Sequence, residues 1–146
     1  MAQTTSPNTI VLVDDEWHNV SWLQEYLEGR GFNVLMAETL NEALPLVEAE
    51  IHRALIIDLN IPALSPLPAI LMERGGPYPS YPGLYLAYRA RNLGYRDRQV
   101  LLYTVHREAA VTQEANLLGA TYIIKGRPQE IKKEIDSVVA FDPTAP

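Results

Sequence analysis

Apolar runs alternate along the chain with segments in which apolar residues recur every three or four positions. The runs are rich in Val, Ile and Leu, and each is typical of a strand buried on both faces of a parallel sheet. The predicted strands cover residues 9–13, 33–37, 54–58, 99–104 and 121–124. The segments between and after them predict five amphipathic helices, over 17–28, 39–51, 84–93, 108–118 and from Pro128 onwards.

This alternation predicts the fold class. Five successive βα units favour an α/β fold, a doubly wound five-stranded parallel sheet with helices on both faces. With the first strand in the centre, the strand order is 2-1-3-4-5, as in flavodoxin-like proteins, and a ligand site lies between strands 1 and 3. A chain of 146 residues fits one such domain. We place it at 8–141, with flexible ends at 1–7 and 142–146.

Three carboxylates lie at that predicted site. Asp14 and Asp15 follow the first strand, and Asp58 ends the third. Their negative charges repel one another and folding alone gives no reason to gather them, so a bound cation is the expected compensation. The sequence therefore predicts a cation site at the carboxyl edge of the sheet.

Composition narrows the functional classes. The chain has no Cys, which excludes disulfides and thiolate metal sites and suits a reducing compartment. Its net charge of −6 disfavours nucleic acid as a partner. The polar start lacks a signal-peptide pattern, and no apolar run approaches the ~18 residues of a membrane span. We therefore expect a cytoplasmic protein that has no membrane partner.

One stretch interrupts the alternation. Six of the eleven prolines fall between Pro62 and Pro82, whereas connections in such folds usually run ~2–6 residues. We predict an insertion at about 63–82 that is either functional or mobile. Within it, residues 69–72 favour one or two helical turns before Gly75.

Four short motifs lie at the ends of four different predicted strands. They are V-D-D-E at 13–16, I-I-D-L-N-I-P at 56–62, L-Y-T at 102–104 and Y-I-I-K at 122–125. In this order they make the chain resemble the receiver domain of two-component response regulators, the chemotaxis-regulator type, over nearly its whole length. The resemblance implies a phosphorylatable signalling protein of a two-component or phosphorelay system rather than an enzyme.

The resemblance assigns roles to the acidic residues. Asp58 matches the phosphoacceptor, and a carboxylate can attack an activated phosphoryl group to form an acyl phosphate. Asp14 and Asp15 match the acidic pair that holds Mg²⁺ together with Asp58 and the backbone carbonyl of Asn60, with Asp14 acting through a bound water. From the residues alone, the alternatives are an Asp that caps a strand end and a pair that stabilises the start of the helix over 17–28.

The resemblance also assigns a cation, a hydroxyl and an aromatic residue. Lys125 matches the lysine that pairs with Asp58 at rest and with a phosphoryl oxygen after transfer. Thr104 matches the hydroxyl that hydrogen-bonds the phosphoryl group, and Tyr122 matches the switch aromatic that turns inward when Thr104 moves. From the residues alone, Lys125 is also explained as solvated surface and Tyr122 as a half-buried core tyrosine.

Partners and competing functions follow from the same residues. The resemblance implies a histidine kinase or phosphotransfer protein as donor and Mg²⁺ as cofactor, and it is compatible with a homodimer. The sequence ends shortly after the last predicted helix, so we expect output through a separate protein target, switched by a change in a binding face. The alternative is a phosphorylation-independent interaction module that binds through the insertion. A flavodoxin-like enzyme is disfavoured, because the acidic residues 14–16 stand where a phosphate-binding loop would follow the first strand. A small phosphatase is disfavoured, because Asn60 stands two residues beyond Asp58, where a general acid would be needed.

The insertion is the largest departure from the family. Family members place a Gly four residues after the Pro of I-P, at the start of their third helix. Gly83 is the best match, which gives an insertion of about 17 residues. In a competing register the third helix starts at Pro66 and the extra residues follow Gly75.

Smaller departures surround the predicted site. Val105 stands where a small residue commonly leaves the phosphoryl group accessible. The usual Lys-Pro dipeptide is replaced by the four residues 125–128, which argues against the customary cis peptide after the lysine. His106 and Asn60 occupy positions whose side chains tune loss of the phosphoryl group in the family.

Tyr and Arg are concentrated in one segment. Residues 78–98 carry five of the eight tyrosines and four arginines. One interpretation is a docking surface, because both residue types are enriched in protein interfaces. The other is that Tyr85 and Tyr88 cover the sheet beside solvated arginines.

Overall fold

A computed structural model of the chain describes residues 4–105, 108–125 and 128–144. The described residues form five strands and six α-helices, with one 3-10 turn at Asp97–Gln99. In chain order the elements are β1 (Ser6–Val13), α1 (Trp17–Gly29), β2 (Asn33–Ala37), α2 (Leu40–Ala49), β3 (His52–Asp58), α3 (Leu67–Arg74), α4 (Pro82–Leu93), β4 (Val100–Thr104), α5 (Ala109–Leu117), β5 (Thr121–Ile124) and α6 (Pro128–Ala140).

The five strands form one parallel sheet in the order β2-β1-β3-β4-β5, which confirms the predicted fold class and strand order. In the register between β1 and β3, Val13 is the partner of Ile57. The residues that follow these two positions, Asp14 and Asp58, therefore meet at one edge of the sheet.

Both faces of the sheet are buried, which is why the strands are continuous apolar runs. Successive side chains on a strand point to opposite faces. On β1, Val11 and Val13 join a core with α2, α4 and α5, whereas Ile10 and Leu12 join a core with α1 and α6. The helices therefore form one layer on each side and leave the two ends of the sheet free for a site.

Both predicted flexible ends are partly inside the fold. Strand β1 begins at Ser6, three residues before the predicted start, and the backbone N–H of Ser6 donates to the carbonyl of Ile51 at 3.0 Å. At the other end, Pro143 is buried and its carbonyl accepts a 2.7 Å hydrogen bond from Arg96. Apolar periodicity missed these contacts because they are made by backbone and polar groups.

The helices follow the sequence signals closely. Thr39 caps α2 as expected, since its hydroxyl accepts from the backbone N–H of Glu42 at 3.1 Å. The turns predicted inside the insertion are present as α3. No helix in the described ranges is long and apolar enough to cross a membrane.

Candidate functional site

The acidic residues of β1 and β3 converge at the carboxyl edge of the sheet. Asp58 is the last residue of β3, and Asp14 follows the last residue of β1. Their relative exposures are only 7% and 1%. Two buried carboxylates side by side carry a high electrostatic cost unless positive charge is supplied.

Lys125, which follows the edge strand β5, supplies part of that positive charge. Its backbone N–H donates to the carbonyl of Thr104 at 2.7 Å, which fixes where the side chain starts. The ammonium Nζ lies 3.1 Å from Oδ2 of Asp14 and 3.5 Å from Oδ2 of Asp58. One cation therefore pairs with both buried carboxylates.

Asp15 completes a cluster that suits a divalent cation. One carboxylate oxygen from each of Asp14, Asp15 and Asp58 lies within 4.8 Å of the others. Asp14 and Asp58 are buried and Asp15 is exposed, so the cluster opens to solvent on one side. When all three are ionised, one ammonium leaves two negative charges uncompensated, and oxygen ligands of this kind are those that Mg²⁺ prefers.

Backbone groups orient the two buried carboxylates. Oδ1 of Asp14 accepts from the N–H of Glu16 at 2.8 Å, and Oδ1 of Asp58 accepts from the N–H of Asn60 at 3.3 Å. In both residues the other oxygen, Oδ2, faces Lys125. Each carboxylate is thus oriented by the backbone N–H two residues further along the chain.

The pKa values of Asp58 and Lys125 reflect this crowding. Burial raises the pKa of the Asp58 carboxyl, Lys125 partly offsets the rise and the charge of Asp14 adds to it. Burial alone would lower the pKa of Lys125, but Asp58 and Asp14 outweigh that effect and hold it above its ordinary value. The lysine therefore remains a cation at neutral pH.

Thr104 and Tyr122 lie on the same face of neighbouring strands. Thr104 ends β4 and is fully buried. Tyr122, on β5, pairs in register with Leu102 and packs half-buried against the core beneath α2, α4 and α5. Their predicted switch roles stay predictions, because the core position of Tyr122 also fits a packing role.

No protein-family model and no curated protein matches the sequence. Solved structures do match. A CheY-like response regulator receiver domain protein from Methanospirillum hungatei is 22% identical, with a TM-score of 0.70 over 92% of this chain and 95% of that one. The chain has the receiver-domain fold.

Two further neighbours share this fold. The chemotaxis protein CheY4 of Vibrio cholerae is 20% identical, with a TM-score of 0.66 over 94% of this chain and 99% of that one. The response regulator TrrA of Thermotoga maritima, solved in complex with Mg²⁺ and BeF, is 21% identical, with a TM-score of 0.66 over 90% and 98% of the two chains.

The receiver fold is interrupted by the insertion, which returns to the sheet at Gly83. The N–H of Gly83 donates to the carbonyl of Leu59 at 3.0 Å. A Cβ atom at Gly83 would lie 2.4 Å from the backbone oxygen of Asp58, so only glycine fits there. Helix α4 packs on β3 and β4 from this point, which agrees with the register that starts the third family helix at Gly83.

The segment rich in Tyr and Arg is largely used inside the fold. The Tyr95 hydroxyl donates to the carbonyl of Glu50 at 2.7 Å. The Arg91 guanidinium donates to the carbonyls of Leu118 and Gly119 at 2.7 and 2.8 Å. The expectation of solvated arginines is therefore wrong for Arg91, because its guanidinium closes the end of α5.

Sequence reasoning missed the partners of two tyrosines in the insertion. The Tyr78 hydroxyl donates to Glu114 at 2.5 Å and the Tyr81 hydroxyl donates to Glu108 at 2.6 Å. Only the concentration of tyrosines pointed to this region, and it did not identify α5 as the partner.

Some of the positions at which the sequence departs from the family pattern lie within the described residues and others do not. Val105, which follows Thr104, is 63% exposed. His106 and residues 126–127, which separate Lys125 from Pro128, lie outside the described residues.

Proposed function

We propose that the chain is a phosphorylatable receiver of a two-component or phosphorelay system, with Asp58 as the phosphoacceptor. The observation that carries the proposal is the position of Lys125 Nζ, 3.1 Å from Asp14 and 3.5 Å from Asp58, beside the cluster completed by Asp15. A nucleophile, a cation and a metal seat are what phosphoryl transfer to a carboxylate requires.

Asp58 acts as the nucleophile. One of its carboxylate oxygens attacks the phosphorus of a phosphohistidine donor, the N–P bond breaks and the imidazole of the donor leaves with the bond's electrons. The product is an acyl phosphate on Asp58. The ammonium of Lys125 then pairs with a phosphoryl oxygen instead of with the Asp58 carboxylate.

Asp14, Asp15, Asp58 and the backbone carbonyl of Asn60 are the residues that would hold Mg²⁺. When bound, Mg²⁺ neutralises negative charge on the phosphoryl oxygens and helps orient the group for in-line transfer. Asp14 has a second role in this chain, since its pairing with Lys125 keeps the ammonium at the site.

The conformational output passes through Thr104. Its hydroxyl hydrogen-bonds a phosphoryl oxygen, and the resulting shift at the end of β4 is accompanied by inward rotation of Tyr122. A binding face that includes β5 changes as a result. The partners are a histidine kinase or phosphotransfer protein and a downstream protein target, in the cytoplasm.

Intact-mass spectrometry after incubation with acetyl phosphate tests this proposal. We expect the wild type to gain the mass of one phosphoryl group when Mg²⁺ is present and to lose the gain when a chelator is added. The variant Asp58→Asn, matched in size, should show no gain. A gain retained by Asp58→Asn would overturn the proposal.

A second candidate function rests on the surface of the insertion. Leu64, Ile70 and Met72 are exposed there although they are apolar, which suits an interaction module that works without phosphate. This candidate predicts that Asp58→Ala leaves partner binding unchanged, whereas a phosphorylation-dependent receiver loses its regulated binding in the same variant.

A further inference from the structure

The insertion is bonded directly to α5, the helix that follows Thr104 in the chain. The hydroxyl of Tyr81 donates to Oε1 of Glu108, the residue before α5, at 2.6 Å. The hydroxyl of Tyr78 donates to Oε1 of Glu114, farther along the helix, at 2.5 Å. Bonds from neutral donors to carboxylates are stronger than those between neutral groups.

Both tyrosines are built into the core rather than laid on the surface. Tyr78 and Tyr81 are 4% and 7% exposed, and they belong to the same apolar cluster as Val111 and Ala115 of α5. The guanidinium of Arg74 lies 4.5 Å from the centroid of the Tyr78 ring, which covers that ring from the insertion side. The two hydroxyls therefore reach α5 from fixed positions.

The other end of the insertion is tied to the start of α2. The side-chain amide of Asn41 donates to the carbonyl of Leu64 at 3.0 Å and accepts from its N–H at 2.7 Å. The N–H of Leu40 donates to the carbonyl of Pro62 at 2.9 Å. The insertion thus spans from α2 to α5 across the start of α4.

The contact with α5 lies next to the predicted switch residues. Glu108 is separated from Thr104 by only three residues. The pKa of Tyr81 is raised, first by its hydrogen bond to Glu108 and least by Tyr122. A displacement of α5 after a change at Thr104 must therefore stretch or break the bonds from Tyr78 and Tyr81.

We propose that residues 63–82 form a strap that holds α5 in its unphosphorylated position and so opposes phosphorylation of Asp58; this rests on the proposed function. The bonds coexist with the pairing of Lys125 and Asp58, which belongs to the resting site. Contacts made in only one of two states stabilise that state. The coupling between the contacts of the strap with α5 and the phosphorylation of Asp58 is reciprocal. Removing the strap bonds therefore favours both the displaced helix and the acyl phosphate.

Hydrogen exchange of the amides of α5 tests whether the strap stabilises this helix. The protein is used without exposure to any phosphodonor. In the double variant Tyr78→Phe with Tyr81→Phe, we expect exchange over 109–117 to accelerate roughly a hundredfold, the loss expected for two hydrogen bonds to charged acceptors. Tyr85→Phe, on α4, is the matched control and should exchange as the wild type does. The second variant, Glu108→Ala with Glu114→Ala, removes the same bonds from the surface side and should match the tyrosine variant.

A cycle between Tyr78→Phe and Glu114→Ala separates the bond from the packing of each side chain. The strap predicts that the two substitutions together accelerate exchange by less than the product of their separate effects. Unchanged exchange in the double tyrosine variant, or independent effects in the cycle, would overturn the strap.

The fraction of protein phosphorylated tests whether the strap opposes phosphorylation of Asp58. It is measured at a fixed, subsaturating concentration of acetyl phosphate with Mg²⁺. We expect this fraction to rise in both double variants and to stay at the wild-type value in Tyr85→Phe. A fraction that is unchanged or lower, with the wild type phosphorylated, contradicts the proposal. If no protein in the set gains a phosphoryl group, the proposed function fails, and opposition to phosphorylation fails with it, while exchange still decides whether the insertion holds α5.

Discussion

The ammonium group of Lys125 lies 3.5 Å from Oδ2 of Asp58, although the strands that precede and carry them are not neighbours in the sheet. Strand β4 lies between β3 and β5, and the lysine side chain reaches across its end. Nζ passes 4.8 Å from the centroid of the Tyr103 ring. The position of the cation therefore depends on β4 as well as on the strand that precedes Lys125.

Replacing this lysine should change transfer and metal binding in opposite directions. In Lys125→Met, we expect phosphorylation by acetyl phosphate to slow roughly 100-fold, as when one transition-state donor is removed. The Kd for Mg²⁺ should fall roughly fivefold, because the carboxylates lose a competing cation whose attraction is about 1 kcal/mol at such distances in water. The exposed Trp17, close to Asp15 in sequence, offers a fluorescence readout of binding.

The matched control for this prediction is Lys133→Met, which removes an exposed lysine of α6. It should leave both quantities at wild-type values. Weaker Mg²⁺ binding in Lys125→Met would mean that the lysine orders the carboxylates rather than competing with the metal.

The close approach at Gly83 gives a test by stability. In Gly83→Ala, the added Cβ meets the Asp58 backbone oxygen at 2.4 Å, so we expect a loss of about 2 kcal/mol of unfolding free energy, as for an overpacked core. In the control Gly29→Ala, nothing lies within 4 Å of the added atom, and a gain of about 0.5 kcal/mol is expected. Urea unfolding measures both. A Gly83→Ala protein as stable as the wild type would place the start of α4 elsewhere.

Stability at high pH reports on Tyr78. Burial and the hydrogen bond to Glu114 raise the pKa of Tyr78 from 10.0 to about 12. A raised pKa in the folded state means that the neutral phenol is favoured there, so its contribution is complete below pH 10 and is lost as the pH rises towards 12.

The wild type should therefore lose more stability than Tyr78→Phe over that window, measured by urea midpoints. Comparison with the variant cancels the titration of the other tyrosines and of the lysines. Equal losses in the two proteins would show that the folded protein does not raise the pKa of Tyr78.

The sheet could be predicted because its signals are local. Apolar runs such as 54–58 give the strands, and the acids that end them mark the edge at which a site forms. The predicted strand order was confirmed, while the start of β1 was placed too late because Ser6 enters the sheet through its backbone N–H, which has no apolar signature.

The contacts of the insertion could not be predicted in the same way. Tyr78 and Glu114 lie 36 positions apart, and Tyr81 and Glu108 lie 27 apart. Hydrogen bonds over such separations leave no periodic pattern in the sequence. They depend on how α3 and the following turn fold back over α4, which only the tertiary structure defines.

Chemical mapping of the phosphoryl group shows directly whether Asp58 is the phosphoacceptor. Borohydride reduces an acyl phosphate on aspartate to homoserine, which peptide mass spectrometry locates in the sequence. After incubation with acetyl phosphate and Mg²⁺, we expect homoserine at Asp58 in the wild type and none in Asp58→Asn. Homoserine at Asp14 or Asp15 instead, or none in the wild type, would contradict this assignment.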